Sequence, residues 1–130
     1  MRFAHIGIAC NSIEEEIENI KKIHKINSIS DIIFDEKQSA NLCMLNIEDG
    51  LNIELISGKI VENIVKKGIK YYHLCYEVEN IEEELQRMGN DIKPISEIKE
   101  AILFDGRKVI FVIASYGLIE LVENKKNILE

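Results

Sequence analysis

The chain has 130 residues, 46% hydrophobic and 30% charged, and a net charge of −7 at pH 7. That length and balance predict one globular domain, residues 1–130, with a real core. The acidic balance argues against a nucleic-acid partner, because phosphate binding needs a basic surface; the pair Lys125–Lys126 is too short to change this. No apolar run approaches a membrane span, and the first residues lack the apolar core of a signal peptide. The expectation is a cytoplasmic protein with no membrane partner. Cys10, Cys43 and Cys75 are odd in number and far apart. They fit neither a disulfide framework nor a zinc knuckle, and read as buried free thiols.

In chain order, "FAHIGIAC" is too short for a helix and rich in strand formers. Ser12 with Glu15 then has the chemistry of a helix cap. A helix follows, with Ile13, Ile17 and Ile20 on one face. Three apolar segments come next: "DIIFDE", "ANLCMLNI" and "LNIELIS", the last two separated by the turn signal Asp49–Gly50. The stretch "KIVENIVKKG", with Ile60 and Ile64 at helical spacing, predicts a short linking helix over about 59–69.

The pattern then repeats. "HIGIACNSIEEEI" (His5–Ile17) and "HLCYEVENIEEEL" (His73–Leu85) share five of thirteen positions at a constant offset of 68 residues (5 to 73, 13 to 81). Asn80 with Glu83 caps the second helix, Ile81, Leu85 and Met88 line it, and Gly89 ends it. "DIKPIS", "RKVIFVIA" and "GLIELVE" follow, with Asp105–Gly106 before the long strand and Gly117 before the last. Pro94 belongs on an edge strand or at a strand start. "AILF" either extends a neighbouring strand or lies in the loop. The period of 68 is longer than the roughly 20–50 residues of solenoid repeats. The prediction is therefore α+β: two pseudosymmetric β-α-β-β-β modules, about 1–58 and 70–124. They would form a curved, half-barrel sheet with helices outside and a cavity within.

The first strand of each module carries a histidine, His5 or His73. The last carries a glutamate among apolar neighbours, Glu54 or Glu120. Taken singly, each histidine reads as structural and each glutamate as solvated. A carboxylate buried without a partner is costly, and a metal would satisfy it. The matched spacing of both pairs makes His5, Glu54, His73 and Glu120 the candidate ligands of one divalent metal. The glutamate runs that follow both caps read as solvated helix faces that suit the helix dipole. His24 has no counterpart in the second half and reads as a helix-surface residue. Arg107 and Lys108 follow a turn; facing an anionic substrate tail and simple solvation are both open readings. Cys75, two residues after His73, falls on the same strand face.

Those residues, with "GRKVIFV" and "YGLIELVE", resemble the vicinal oxygen chelate superfamily, in particular the small bacterial branch containing glyoxalase I and methylmalonyl-CoA epimerase. The resemblance runs from Phe3 to Glu123. It implies that the four ligands hold the metal, with Ni or Co ahead of Zn or Mn. It implies proton abstraction next to a carbonyl and stabilisation of the resulting enediolate. In the glyoxalase I (lactoylglutathione lyase) reading the substrate is a 2-oxoaldehyde–thiol adduct, Glu120 is the main base and Glu54 the opposing carboxylate. The alternative is an epimerase acting on an acyl-CoA. Epimerases of the family carry a further glutamate before the third strand. In "DEKQSAN" that position is Lys37, with Glu36 one residue away, and a shift of one reverses strand facing. A drug-sequestering protein ranks lower, because such relatives lack the four ligands. A ring-cleaving dioxygenase, with two His and one Glu, is disfavoured by the fourth ligand. The resemblance also implies a homodimer.

Overall fold

The computed structural model describes residues 1–124, so Lys125 and Lys126 lie outside the described residues. Among the described residues there are ten strands, three short α-helices and three 3-10 turns, a mixed α+β chain. No helix is long and apolar enough to cross a membrane. Contacts divide the chain into two units, one of residues 5–72, the other of residues 1–4 with those from 73 onward.

The first unit builds on β1 (Arg2–Ala9), α1 (Ile13–Lys21), β2 (Ile26–Ile29), β3 (Ile33–Asp35), β4 (Ala40–Ile47) and β5 (Leu51–Gly58). The order is β2-β4-β5-β1, with β1 parallel to β5 and β4 antiparallel to it. Ser12 caps α1, its Oγ accepting from the Glu15 N–H at 3.2 Å. This satisfies one of the four amides that a helix start leaves without a partner. Ile13 is buried against Cys10, Cys43, Leu45 and Leu55, with Ile17 and Ile20 packed behind it. Gly50, at φ +97°, makes the β4–β5 turn, a backbone conformation that residues with a Cβ rarely adopt. After β5 the chain passes through a 3-10 turn (Lys59–Val61) into α2 (Glu62–Lys66), the expected linking helix.

The second unit repeats the plan with β6 (Tyr71–Val78), α3 (Ile81–Met88), β7 (Lys93–Pro94), β8 (Lys99–Ala101), β9 (Arg107–Ala114) and β10 (Gly117–Glu123). The order is β6-β10-β9-β7, with β6 parallel to β10 and β9 antiparallel to it. Asn80 caps α3 by accepting from the Glu83 N–H at 2.9 Å. The buried Glu123 carboxylate accepts from the next orphan amide, that of Ile81, at 3.0 Å. Ile81 packs on Val78, Ile110, Val112 and Leu121, with Leu85 and Met88 against the same cluster.

One expectation is refined in both units. Where one strand was predicted after each helix there are two: "DIIFDE" contains β3 and "DIKPIS" contains β7, while β2 and β8 lie outside the predicted segments. β2 and β3 both pair with β4; β7 and β8 both pair with β9. A serine sits at each break. Ser30 Oγ accepts from the Met44 N–H (2.8 Å), and the Ser30 N–H donates to the Met44 carbonyl (2.8 Å). Ser96 Oγ accepts from the Phe111 N–H (3.0 Å), while the Ile95 N–H donates to the Phe111 carbonyl (3.0 Å). A hydroxyl stands in for a ladder carbonyl, so the chain leaves the sheet without orphaning an amide. Pro94 lies on the edge strand β7, where no ladder N–H is required. "AILF" divides: Ala101 ends β8, and Ile102–Phe104 form a 3-10 turn.

Candidate metal centre

Register places the polar residues of each unit. In the first, parallel pairing sets Gly7 beside Glu54 and Ile6 beside Ile53. Side chains alternate along a strand, so His5, Gly7 and Glu54 share one face while Ile6 and Ile8 turn to the α1 core. The contact between His5 Nε2 and Glu54 Oε1 is 3.4 Å. In the second unit Glu120 lies beside Cys75, and His73, two residues before Cys75, shares that face. His73 Nε2 and Glu120 Oε1 are 3.2 Å apart.

His5, Glu54, His73 and Glu120 are 1, 4, 4 and 2% exposed. Carboxylates this far from water need strong compensation. All four are of ligand type, each offering one nitrogen or oxygen. Two ligands about 2.1 Å from one cation lie roughly 3.0 Å apart at a right angle and about 3.4 Å apart at the tetrahedral angle. Both observed separations fall within that range. Each pair is therefore spaced as two ligands of a single divalent ion, and the donor set fits the metal that the sequence implied.

The second pair has a neighbour that sequence reasoning missed. Phe111 pairs with Glu120 across β9 and β10, and its ring meets His73 edge to face, centroids 5.4 Å apart at 88°. The signal was present in the hairpin. Ala114 pairs with Gly117 across Ser115–Tyr116, a two-residue loop that sets 111 opposite 120. Cys75 is fully buried with Ala101, Val109 and Val122. All three cysteines are free and buried, and burial pushes the Cys10 thiol up to about 11.

The remaining candidates lie elsewhere. Arg107 Nη1 donates to Glu77 Oε2 and to the Glu123 carbonyl, both at 3.3 Å, and its guanidinium stacks on Phe104. Lys108 is exposed; being adjacent on a strand, it points to the opposite face. Glu36 and Lys37 are exposed in the β3–β4 turn, where the buried acid is Asp35. The Asp35 carboxylate accepts from the Lys37 N–H (3.0 Å) and from Gln38 Nε2 (2.9 Å), which closes the turn. His24 contacts Glu48 at 3.1 Å beyond the end of α1.

A family model described as the Glyoxalase/Bleomycin resistance protein/Dioxygenase superfamily matches residues 4–111. The chain belongs to this superfamily, that of the vicinal oxygen chelate proteins. Among solved structures, methylmalonyl-CoA epimerase from Mycobacterium tuberculosis is similar at 18% identity and TM-score 0.81, over 99% of this chain and 92% of that one. A hypothetical protein from Bacillus halodurans C-125 shares 25% identity, TM-score 0.76, over 95% and 94%. A Streptomyces coelicolor methylmalonyl-CoA epimerase variant in complex with 2-nitronate-propionyl-CoA shares 18%, TM-score 0.75, over 96% and 95%. No curated protein matches the chain. At these identities the epimerase likeness establishes the fold, mixed α+β of the vicinal oxygen chelate type.

Proposed function

We propose that the protein is a metal-dependent isomerase of the glyoxalase I type, with one divalent cation, Ni or Co ahead of Zn or Mn, held by His5, Glu54, His73 and Glu120. The observation that carries the reading is the recurrence of one buried His–Glu contact, 3.4 Å in one unit and 3.2 Å in the other. The bound cation would supply Lewis-acid stabilisation of negative charge on the substrate oxygens.

The protein's own groups do the rest. In a 2-oxoaldehyde–thiol adduct, the Glu120 carboxylate takes the proton from the carbon bearing sulfur and returns it to the neighbouring carbonyl carbon. A hydroxyl proton passes between the two oxygens, and the product is a 2-hydroxy thioester. Glu54 is the opposing carboxylate, and both imidazoles serve as neutral donors to the cation. Arg107, on the Phe111 face of β9, is the proposed contact for an anionic tail. A carboxylate in general-base work of this kind supplies roughly 10²–10⁴-fold in rate.

A second reading is supported by the solved relatives: an epimerase moving a proton at the carbon next to the thioester of an acyl-CoA. It is equally compatible with the same four residues. Either way we propose a cytoplasmic homodimer acting on a small thiol-linked substrate. The deciding experiment reconstitutes the protein with Ni²⁺ or Co²⁺. It then compares turnover of methylglyoxal plus several thiols with epimerisation of methylmalonyl-CoA. Turnover of a thiol adduct supports the first reading. Epimerisation alone replaces it with the second.

A further inference from the structure

The two His–Glu pairs are alike in sequence and spacing but not in what flanks them. Glu54 stands between Gly7 on β1 and Met44 on β4. Glu120 stands between Cys75 on β6 and Phe111 on β9. One glutamate thus has a residue without a side chain on one side and a flexible thioether on the other. Its counterpart has a packed thiol and a rigid ring. Met44 and Phe111 are structural equivalents, since each receives its strand-break serine at the same backbone atom.

We propose that Phe111 is a positioning residue that holds the His73–Glu120 pair in ligating geometry, a grip that Met44 does not supply to His5–Glu54. The inference rests on the metal reading above. Three observations carry it. The ring meets His73 edge to face at 5.4 Å, a favoured aromatic geometry that resists rotation of the imidazole. Phe111 is 9% exposed and the His73 side chain is fully buried, so water cannot take the place of the ring. The Phe111 backbone is fixed at both ends, its N–H donating to Ser96 Oγ and its carbonyl accepting from the Ile95 N–H. With those groups turned outward from β10, Phe111 and Glu120 form a non-hydrogen-bonded pair, in which opposed side chains lie closer together. Groups that orient a ligating histidine from outside the coordination shell are typically worth about 10–100-fold in metal affinity.

The test uses the full chain as wild type, Phe111→Leu, Phe111→Tyr and Met44→Leu. The first readout needs no metal: NMR relaxation of the histidine ring carbons. The His73 ring is expected to be as rigid as the backbone in wild type and Phe111→Tyr, and mobile in Phe111→Leu, with the His5 ring unchanged. The second is Co²⁺ titration by calorimetry and visible spectroscopy. Phe111→Leu is expected to weaken binding roughly tenfold or more and alter the Co²⁺ spectrum, Phe111→Tyr to recover it, and Met44→Leu to stay within about threefold of wild type. A His73 ring as rigid in Phe111→Leu as in wild type overturns the proposal, as does unchanged Co²⁺ affinity with an unchanged spectrum. If wild type binds no Co²⁺, the metal reading falls, while the ring relaxation still decides whether Phe111 holds His73.

Discussion

Glu54 and Glu120 occupy matching places in two modules, each against a histidine from the parallel strand beside it. The copied features are those that the backbone needs: a first strand, a capped helix, a broken strand closed by a serine, and a final hairpin. The features that differ lie on the strand face of the glutamates, where Gly7 and Met44 in one module answer to Cys75 and Phe111 in the other. The repeat sets out a symmetric candidate ligand set, and under the proposed function, chemistry on an asymmetric substrate needs the two carboxylates to differ. The comparison teaches that function is to be sought where the repeat is broken rather than where it is kept.

The largest expected effect separates the two carboxylates. In metal-loaded protein, Glu120→Gln is expected to lose roughly 10²–10⁴-fold in kcat while keeping substantial metal, because an amide oxygen can still ligate but cannot accept a proton. Glu54→Gln is expected to be milder. Steady-state kinetics with metal content checked in each sample decides. The opposite ranking swaps the roles, and near-normal turnover in both removes the carboxylates from proton transfer.

A smaller effect concerns the serines at the two breaks. Ser96→Ala leaves the buried Phe111 amide without its acceptor and is expected to cost about 1–3 kcal/mol in urea unfolding. Ser30→Ala should lie at the lower end of that range, because Met44 is only half-buried whereas Phe111 is buried. Equal losses would mean that the modules are equally tight.

The caps come next. Ser12→Ala is expected to cost about 1 kcal/mol. Asn80→Ala should cost less, because the Glu123 carboxylate already holds the first turn of α3. The smallest effect is at Cys10. With its thiol pushed up to about 11 by burial, it should resist iodoacetamide at pH 8 in the folded protein. Unfolded chains ionise first, so this residue makes stability fall as pH climbs from the ordinary value of 9 toward 11. Rapid alkylation of native protein at pH 8 would contradict its burial.

Much of this was legible before the structure. The offset of 68 located β1 and β6, both caps and both helices, because strand and cap chemistry is local. The four candidate ligand positions stood out for the same reason: a charge recurring in two apolar strands shows in one dimension. The strand breaks could not be seen. "INSI" and "KEA" are too short to carry a strand pattern, and become strands only by pairing with β4 and β9. Arg107 was legible only in part. Its place after a turn shows in the sequence, whereas its contact with Glu77 joins residues thirty positions apart. Nothing singled out Phe111 within "RKVIFVIA" until hairpin register set it opposite Glu120.

The central claim is that both modules contribute to one cation. Its most direct test is an equilibrium Co²⁺ or Ni²⁺ titration with elemental analysis on wild type, His5→Ala and His73→Ala. The account predicts one ion per chain in wild type, and a loss of affinity in both variants large enough to empty the protein on desalting. Two ions per chain, or one variant retaining its ion with unchanged affinity, would contradict it.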